Sequence, residues 1–324
     1  MAIEVLDGGI LSTLQDAGRP GLGHLGINPG GWQDAVSAKL ANILVGNDDN
    51  CAVLEMFFPS AQLRFNTPAI IAITGADFEA KADGLVIPTH RPVYLPAGSM
   101  LRFTRWTAGR VAYLAVAGGF AVPEVLGSKS VHLAGGFGGL FGRKLQTADF
   151  LPVIHATNVL LKAIEPVSWF TRSIAPLTDT PMPIEVIPGP EWHFMTPSQQ
   201  QQLLHMEFTI GGGANRMAYP LQNSTGILPP ANHTGILSSG VCFGTVQWLP
   251  SGQFIVLMAD HQTTGGYPRV LQVIRAHLPL LAQAGPATRI TLQLTHLQQA
   301  LDTLQRQHSQ FIGMAASIKY HLRK

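Results

Sequence analysis

The chain is poor in cysteine and in charge, and each shortage removes a class of function. Cys51 and Cys242 lie far apart and neither belongs to a Cys-x-x-Cys pair, so a zinc ribbon or a thioredoxin-like redox site has no support. We expect two buried free thiols rather than a disulfide. Charged residues make up 12% of the chain and the formal net charge is +2. The basic residues are scattered, with no run longer than Arg143-Lys144 or Arg323-Lys324, which excludes a nucleic-acid footprint. No stretch approaches the roughly 18 uninterrupted apolar residues that cross a bilayer. The opening Met1 to Asp7 carries acidic residues early and does not read as a signal peptide. A soluble cytoplasmic protein without membrane association is therefore expected. The 12 histidines, among them His193, His205 and His233, are dispersed, so no metal is expected. No Gly-x-Ser-x-Gly elbow accompanies them.

What the chain has in abundance is glycine and proline, 34 and 23 of 324 residues, over a hydrophobic content of 46%. Short strands with many turns suit that mixture better than long surface helices. The expected fold is mainly β, in two halves: an N-terminal domain over 1–165, a connecting segment over 166–182 where prolines accumulate, and a C-terminal domain over 183–324.

In chain order, Ile3 to Leu6 and Ser12 to Gln15 predict short strands. Asp34 is placed to cap a helix that runs to Val45 and stops at Gly46-Asn47. Ala52 to Phe57, Ala61 to Phe65, Ala69 to Thr74, Leu101 to Thr104 and Val111 to Val116 predict strands of a barrel or sandwich. Gly135 to Arg143 is glycine-rich, but no Gly-Lys-Ser/Thr ending or helical pattern follows it. A loop that packs tightly or lines a pocket is expected there, not a nucleotide loop. In the second half, Gln199 to Gln202 predicts a solvated helix face. Gly240 to Trp248 and Gln253 to Met258 predict a hairpin, and Leu278 to Ala284 a short helix. Thr295 to Gln298 predicts a capping box before a helix whose Leu297, Ala300, Leu301, Leu304 and Phe311 pack across a barrel.

Two polar segments concentrate chemistry. Asp260 to Arg269 follows the apolar run Phe254 to Met258. Its Asp260 can accept protons, Gln262 and Thr264 can read an amide or carboxylate, Gly265 and Gly266 let the backbone approach a ligand, and Tyr267 offers a stacking face. Gly211 to Pro220 carries Asn215 and Arg216, whose guanidinium fork can grip a carboxylate or phosphate.

Six ordered stretches carry a family resemblance: Thr13 to Gly21, Ala41 to Asn47, Leu114 to Gly119, Pro188 to Glu191, Asn215 to Met217 and Gln262 to Pro268. Through them the chain resembles the family of the 5-oxoprolinase C-type subunit, also known as allophanate hydrolase subunit 2 or biotin-dependent carboxyltransferase. It departs from the pattern at Trp32-Gln33 before the first helix, at His261 where a small residue is usual, and at Pro220 where an arginine is more typical. The resemblance implies two tandem cyclophilin-like β-barrels with a few short helices. It also implies partners, namely a B-like companion and an A-like protein of the 5-oxoprolinase assembly. In that branch ATP, with or without magnesium, drives opening of 5-oxoproline to glutamate in the assembled complex. A second branch moves a carboxyl group from biotin, carried on another chain, to urea. A third regulates a kinase-inhibitor protein without catalysis.

Both enzymatic branches act on an unreactive amide or urea carbonyl. On that chemistry Arg216 and Asp260 are the expected catalytic residues. Asn215, Gln262, Thr264, Gly265, Gly266 and Tyr267 are expected to contact substrate, with Gln15, Asp16, Arg19 and Asp34 contributing from the N-terminal segment.

Overall fold

A computed structural model describes residues 2–154, 163–171, 181–223, 225–230 and 235–322. Residues 172–180 of the expected connection, and His233, lie outside the described residues. The chain forms two compact units. One comprises Met1–Arg19, Gly30–Pro176 and Phe311–Lys324, and the other Pro20–Pro29 and Leu177–Gln310. The fold is mainly β, as its glycine- and proline-rich composition predicts.

The first unit is built on two six-stranded sheets. One runs in the order Phe150–Pro152, Ala2–Asp7, Gln62–Phe65, Met100–Phe103, Ala80–Ala82 and Leu85–Val86. The other runs Glu165–Pro166, Pro92–Leu95, Ala69–Asp77, Ala108–Val116, Val53–Phe57 and Leu11–Gln15. Successive side chains of a strand point to opposite faces, and Ala108–Val116 uses both. Ala112, Leu114 and Val116 enter a core with Ile3, Leu63 and Phe65. Val111, Tyr113 and Ala115 face a second cluster with Leu40, Ala41 and Leu44 of helix α1, Ala35–Leu44. That double burial explains why the strand reads as a continuous apolar run. Asp34 caps α1 as expected, its Oδ1 accepting from the Ser37 amide at 2.9 Å.

The second unit closes. Its seven strands follow the order Met182–Pro188, Arg269–Val273, Thr245–Trp248, Phe254–Leu257, Ala218–Gln222, Glu207–Ile210 and Arg289–Leu294. The last strand returns to the first in the one parallel pairing of the barrel. Trp248, Tyr219, Phe208 and Phe254 fill its interior, and closure removes the open edges that would otherwise invite pairing with other chains. The predicted hairpin is present, with Val246 opposite Val256 and Trp248 opposite Phe254.

The glutamine-rich patch lies on helix α2, Pro197–His205, of which only Leu203 is buried. Helix α3, Leu278–Gln283, carries its proline in the first turn, where the missing N–H removes no helical bond.

Three expectations are corrected. The capping box forms at Thr196, whose hydroxyl accepts from the Gln199 amide while the Gln199 side chain accepts from the Thr196 amide. It does not form at Thr295. Helix α4, Leu297–Leu322, begins with His296 supplying the first helical carbonyl to Ala300, and the Thr295 hydroxyl is buried without a partner among the described residues. Thr295 is one residue too early, so Gln298 bonds Asp302 instead. Along α4 the expected apolar face is not covered throughout. Leu297 and Leu301 remain 62% and 50% exposed, whereas Phe311, Met314, Ala315 and Ile318 pack with the α1 cluster. Finally, both cysteines are free, but Cys51 is only partly buried and Cys242 is exposed. No described helix is long and apolar enough to cross a membrane.

Candidate functional site

The decapeptide Asp260 to Arg269 leaves the barrel strand Phe254–Leu257 and returns into the strand Arg269–Val273. Each end is clamped by a bidentate arginine–carboxylate pair. At the start, Arg216 Nε and Nη2 donate to Asp260 Oδ2 and Oδ1 at 2.7 and 2.8 Å, and the Asp260 amide donates to the Arg216 carbonyl at 2.8 Å. Met258 N–H likewise donates to the Met217 carbonyl, so the pairing of the strands Ala218–Gln222 and Phe254–Leu257 continues as far as Arg216 and Asp260. At the far end, Arg269 Nε and Nη2 donate to Glu191 Oε2 and Oε1 at 2.9 and 2.7 Å. The Arg269 amide adds a third bond to Glu191. The Arg269 guanidinium beside it holds the Glu191 carboxyl below the usual carboxylate range.

This second clamp explains the Pro188-Gly189-Pro190-Glu191 turn. A Cβ on Gly189 would meet the Arg269 carbonyl oxygen at 2.1 Å, so glycine is required for the two segments to approach. Sequence reasoning missed the partnership of Glu191 with Arg269. The two residues are remote in sequence, and neither motif names its partner.

Between the clamps, Thr264–Gly265 pairs antiparallel with Ser239–Gly240 as a two-stranded ribbon. Gly265 is buried directly against Gln247, to whose Nε2 an added Cβ would stand 2.4 Å away. Gln262 Nε2 reaches Gln247 Oε1 at 3.4 Å. Thr264 is exposed and Tyr267 is 41% exposed. His261 is buried, its Nδ1 lying 2.6 Å from the Gln262 carbonyl oxygen. Burial pushes its pKa down. Its carbonyl accepts from Asn28 Nδ2 at 2.9 Å, which ties the Pro20–Pro29 segment into this unit.

Asn215 serves its own turn. Its Oδ1 accepts from the Met217 amide at 2.7 Å and its Nδ2 donates to the Gly213 carbonyl. Pro220, where the family pattern carries an arginine, sits in a barrel strand opposite Ile255.

The N-terminal candidates belong to the first unit. Asp16 is a buried hub: Oδ1 accepts from the Ser128 and Ser130 hydroxyls at 2.5 and 2.6 Å and from the Gly18 amide, and Oδ2 from the Lys129 amide. Arg19 donates to the Ser130 and Val125 carbonyls and lies over the Phe137 ring. Gln15 donates to Thr13 Oγ1. Asp34 receives the Ser37 amide and hydroxyl, while Tyr113 hydroxyl accepts from the Asp34 amide and donates to buried Glu55. Burial, with Glu55 adjacent, pushes the Tyr113 phenol well up.

The glycine-rich loop packs against its own chain. Cβ atoms on Gly138, Gly139 and Gly142 would meet Ser130 O, Val131 Cγ2 and Gly136 O at 2.2, 2.0 and 2.0 Å. These glycines serve close approach of chain to chain. Among the described residues, no group of three or more His, Cys, Asp or Glu side chains is arranged to hold a metal ion.

The family model for the carboxyltransferase domain, subdomain A and B, matches residues 25–294. The C-type subunit of Escherichia coli 5-oxoprolinase is 36% identical over 97% of each chain. The urea carboxylase of Kluyveromyces lactis superposes with a TM-score of 0.84 at 25% identity, covering 96% of this chain and 29% of that one. The crystal structure of TTHA0988 gives 0.78 at 32% identity, covering 90% of this chain and 56% of that one. In both solved structures, therefore, this chain corresponds to part of a longer polypeptide. The chain belongs to the carboxyltransferase domain, subdomain A and B, family and is homologous to the C-type subunit of 5-oxoprolinase and to the carboxyltransferase domain of urea carboxylase.

Proposed function

We propose that this chain is the C-type subunit of a cytoplasmic, ATP-dependent 5-oxoprolinase that opens the lactam of 5-oxoproline to L-glutamate with A-like and B-like companions. The supporting observation is the extent of the likeness. Similarity to a named 5-oxoprolinase subunit spans 97% of both chains, whereas the urea carboxylase likeness covers 29% of a much longer chain. Because no Gly-Lys-Ser/Thr ending follows the glycine-rich loop, we place ATP, with or without magnesium, on the companion proteins and route no step of this chain through it.

What this chain contributes is a polar segment held still at both ends. Arg216 and Asp260 act as one catalytic unit: the guanidinium fixes the carboxylate, whose remaining lone pairs face the lactam N–H or a water. Gln262, Thr264, Gly265, Gly266 and Tyr267 line the ring, and Asn215 holds the adjoining turn. Gln15, Asp16, Arg19 and Asp34 belong to the first unit, where each is held by the bonds described above. Fixed geometry of this kind removes reorganisation from the chemical step.

The family match and the urea carboxylase likeness favour a second reading, carboxyl transfer to urea or a similar amide from biotin carried on another chain. A non-catalytic role beside a kinase-inhibitor partner is the third. The deciding experiment measures ATP hydrolysis and glutamate release by the chain assembled with its companions, with 5-oxoproline, urea or neither. Glutamate formed only with 5-oxoproline is expected. An intact complex without 5-oxoproline-dependent turnover would overturn the proposal.

A further inference from the structure

His261 stands between Asp260 and Gln262, and the chemistry proposed above makes no use of it. It is 2% exposed, and three bonds hold it in place. Its amide donates to the Met258 carbonyl at 3.1 Å, its carbonyl accepts from Asn28 Nδ2 at 2.9 Å, and its Nδ1 lies 2.6 Å from the Gln262 carbonyl oxygen. A carbonyl oxygen only accepts, so the last bond puts the ring hydrogen on Nδ1 and leaves the uncharged ring a lone pair on Nε2. Burial outweighs the pull of the Gln262 bond and of the Asp260 charge and lowers the ring's pKa, which favours that uncharged form. Nε2 itself makes no hydrogen bond among the described residues. Unlike Gln247 Nε2, which is sealed without a partner, it is not closed to water.

The segment therefore holds two kinds of acceptor. Both Asp260 oxygens already accept from Arg216, whereas the His261 lone pair is oriented and uncommitted. A neutral acceptor of that kind selects its ligand by the hydrogen it lacks. An N–H satisfies it, but an ether or carboxylate oxygen in the same place sets lone pair against lone pair. We infer that His261 Nε2 is a specificity-determining acceptor of the site, taking the N–H of a small lactam. Asp260, fixed by Arg216, is then left to face the water. The inference rests on the lactam substrate class proposed above and adds the residue that reads its N–H.

The test uses the full chain assembled with its companions, without ATP, and two probes: 5-oxoproline and the lactone of the same ring, in which an oxygen replaces the N–H. Dissociation constants for both are measured by calorimetry on the unsubstituted complex and on two variants. His261→Ala removes the ring, and His261→Phe keeps an aromatic ring of similar bulk without the acceptor, so misfolding of one variant leaves the other to decide. The unsubstituted complex should prefer the lactam, and both variants should lose about three- to tenfold of that preference, the size of one net hydrogen bond. A preference that a folded variant of either kind keeps in full would overturn the inference, because bulk or some other group would then be selecting. So would an unsubstituted complex that binds neither probe, or both equally. The glutamate assay is separate. Loss of lactam preference in both variants of a complex that releases no glutamate would keep this contact and reject the 5-oxoprolinase reading. Glutamate release with the preference untouched in both would do the reverse.

Discussion

Breaking the Arg216–Asp260 clamp should cost more than any surface ion pair in the protein. The two side chains are 3% and 15% exposed and share two charge-assisted bonds at 2.7 and 2.8 Å. At an effective dielectric constant of about 20, two unit charges roughly 4 Å apart attract by about 4 kcal/mol. Removing one partner also strands the other charge. We expect Asp260→Ala or Arg216→Ala to destabilise the second unit by about 3–5 kcal/mol, a large share of the roughly 5–15 kcal/mol typical of a folded domain. The double variant Arg216→Met/Asp260→Leu should lose at least about 2 kcal/mol less than the sum of the single losses, because no charge is left unpaired. Since the chain forms two units, a single unfolding curve mixes them. Hydrogen exchange at the barrel amides of Val246 and Val256 reports the second unit directly. Single losses under about 1 kcal/mol that simply add would refute the argument.

Gly142→Ala places a side chain at φ +67° with its Cβ 2.0 Å from the Gly136 carbonyl oxygen. It should destabilise the first unit by on the order of 2–4 kcal/mol, read by denaturant unfolding; unchanged stability would mean that the loop is open. Thr196→Ala should cost about 1 kcal/mol through the lost cap, while Thr295→Val, which removes an unpaired buried hydroxyl, should be neutral or stabilising; the reverse order in melting temperature would contradict the helix starts described. Burial lowers the pKa of His90, His261 and His277, so the unfolded chain binds protons first as pH falls. Melting temperature should therefore be highest above the ordinary histidine value of about 6.5 and decline below it. It should fall again as pH drops through the depressed values of Asp149 and Glu191, which their arginine partners lower. A stability profile that stays flat as pH falls from well above the histidine range to below the carboxylate range would refute both assignments.

Much of the fold was legible because local rules and tertiary demand agree. The Asp34 cap, the hairpin between Trp248 and Phe254, and the proline-led α3 each satisfy a short-range requirement that any chain with those residues meets. The tight packing of Gly135 to Arg143 was legible for the same reason, since the loop lacks the residues a phosphate cradle needs and its glycines answer to Ser130 and Val131 instead. The capping box at Thr295 failed because the helix begins one residue later than that pattern requires, with His296 supplying the first helical carbonyl.

At the candidate site the sequence by itself determined which residue types are concentrated in Asp260 to Arg269, and that glycines there permit close backbone approach. Only the tertiary structure decided the pairings. Arg216 reads equally well as an anion grip, but the barrel lays its turn beside Asp260 and the two charges satisfy each other. Glu191 is joined to Arg269, and Gln247, an ordinary polar residue on a strand, is buried under Gly265 with a donor left over. The physical reason is common to all three. Hydrogen bonds and ion pairs between residues far apart in sequence depend on which strands become neighbours on closure, and strand order is a property of the whole barrel rather than of any segment within it.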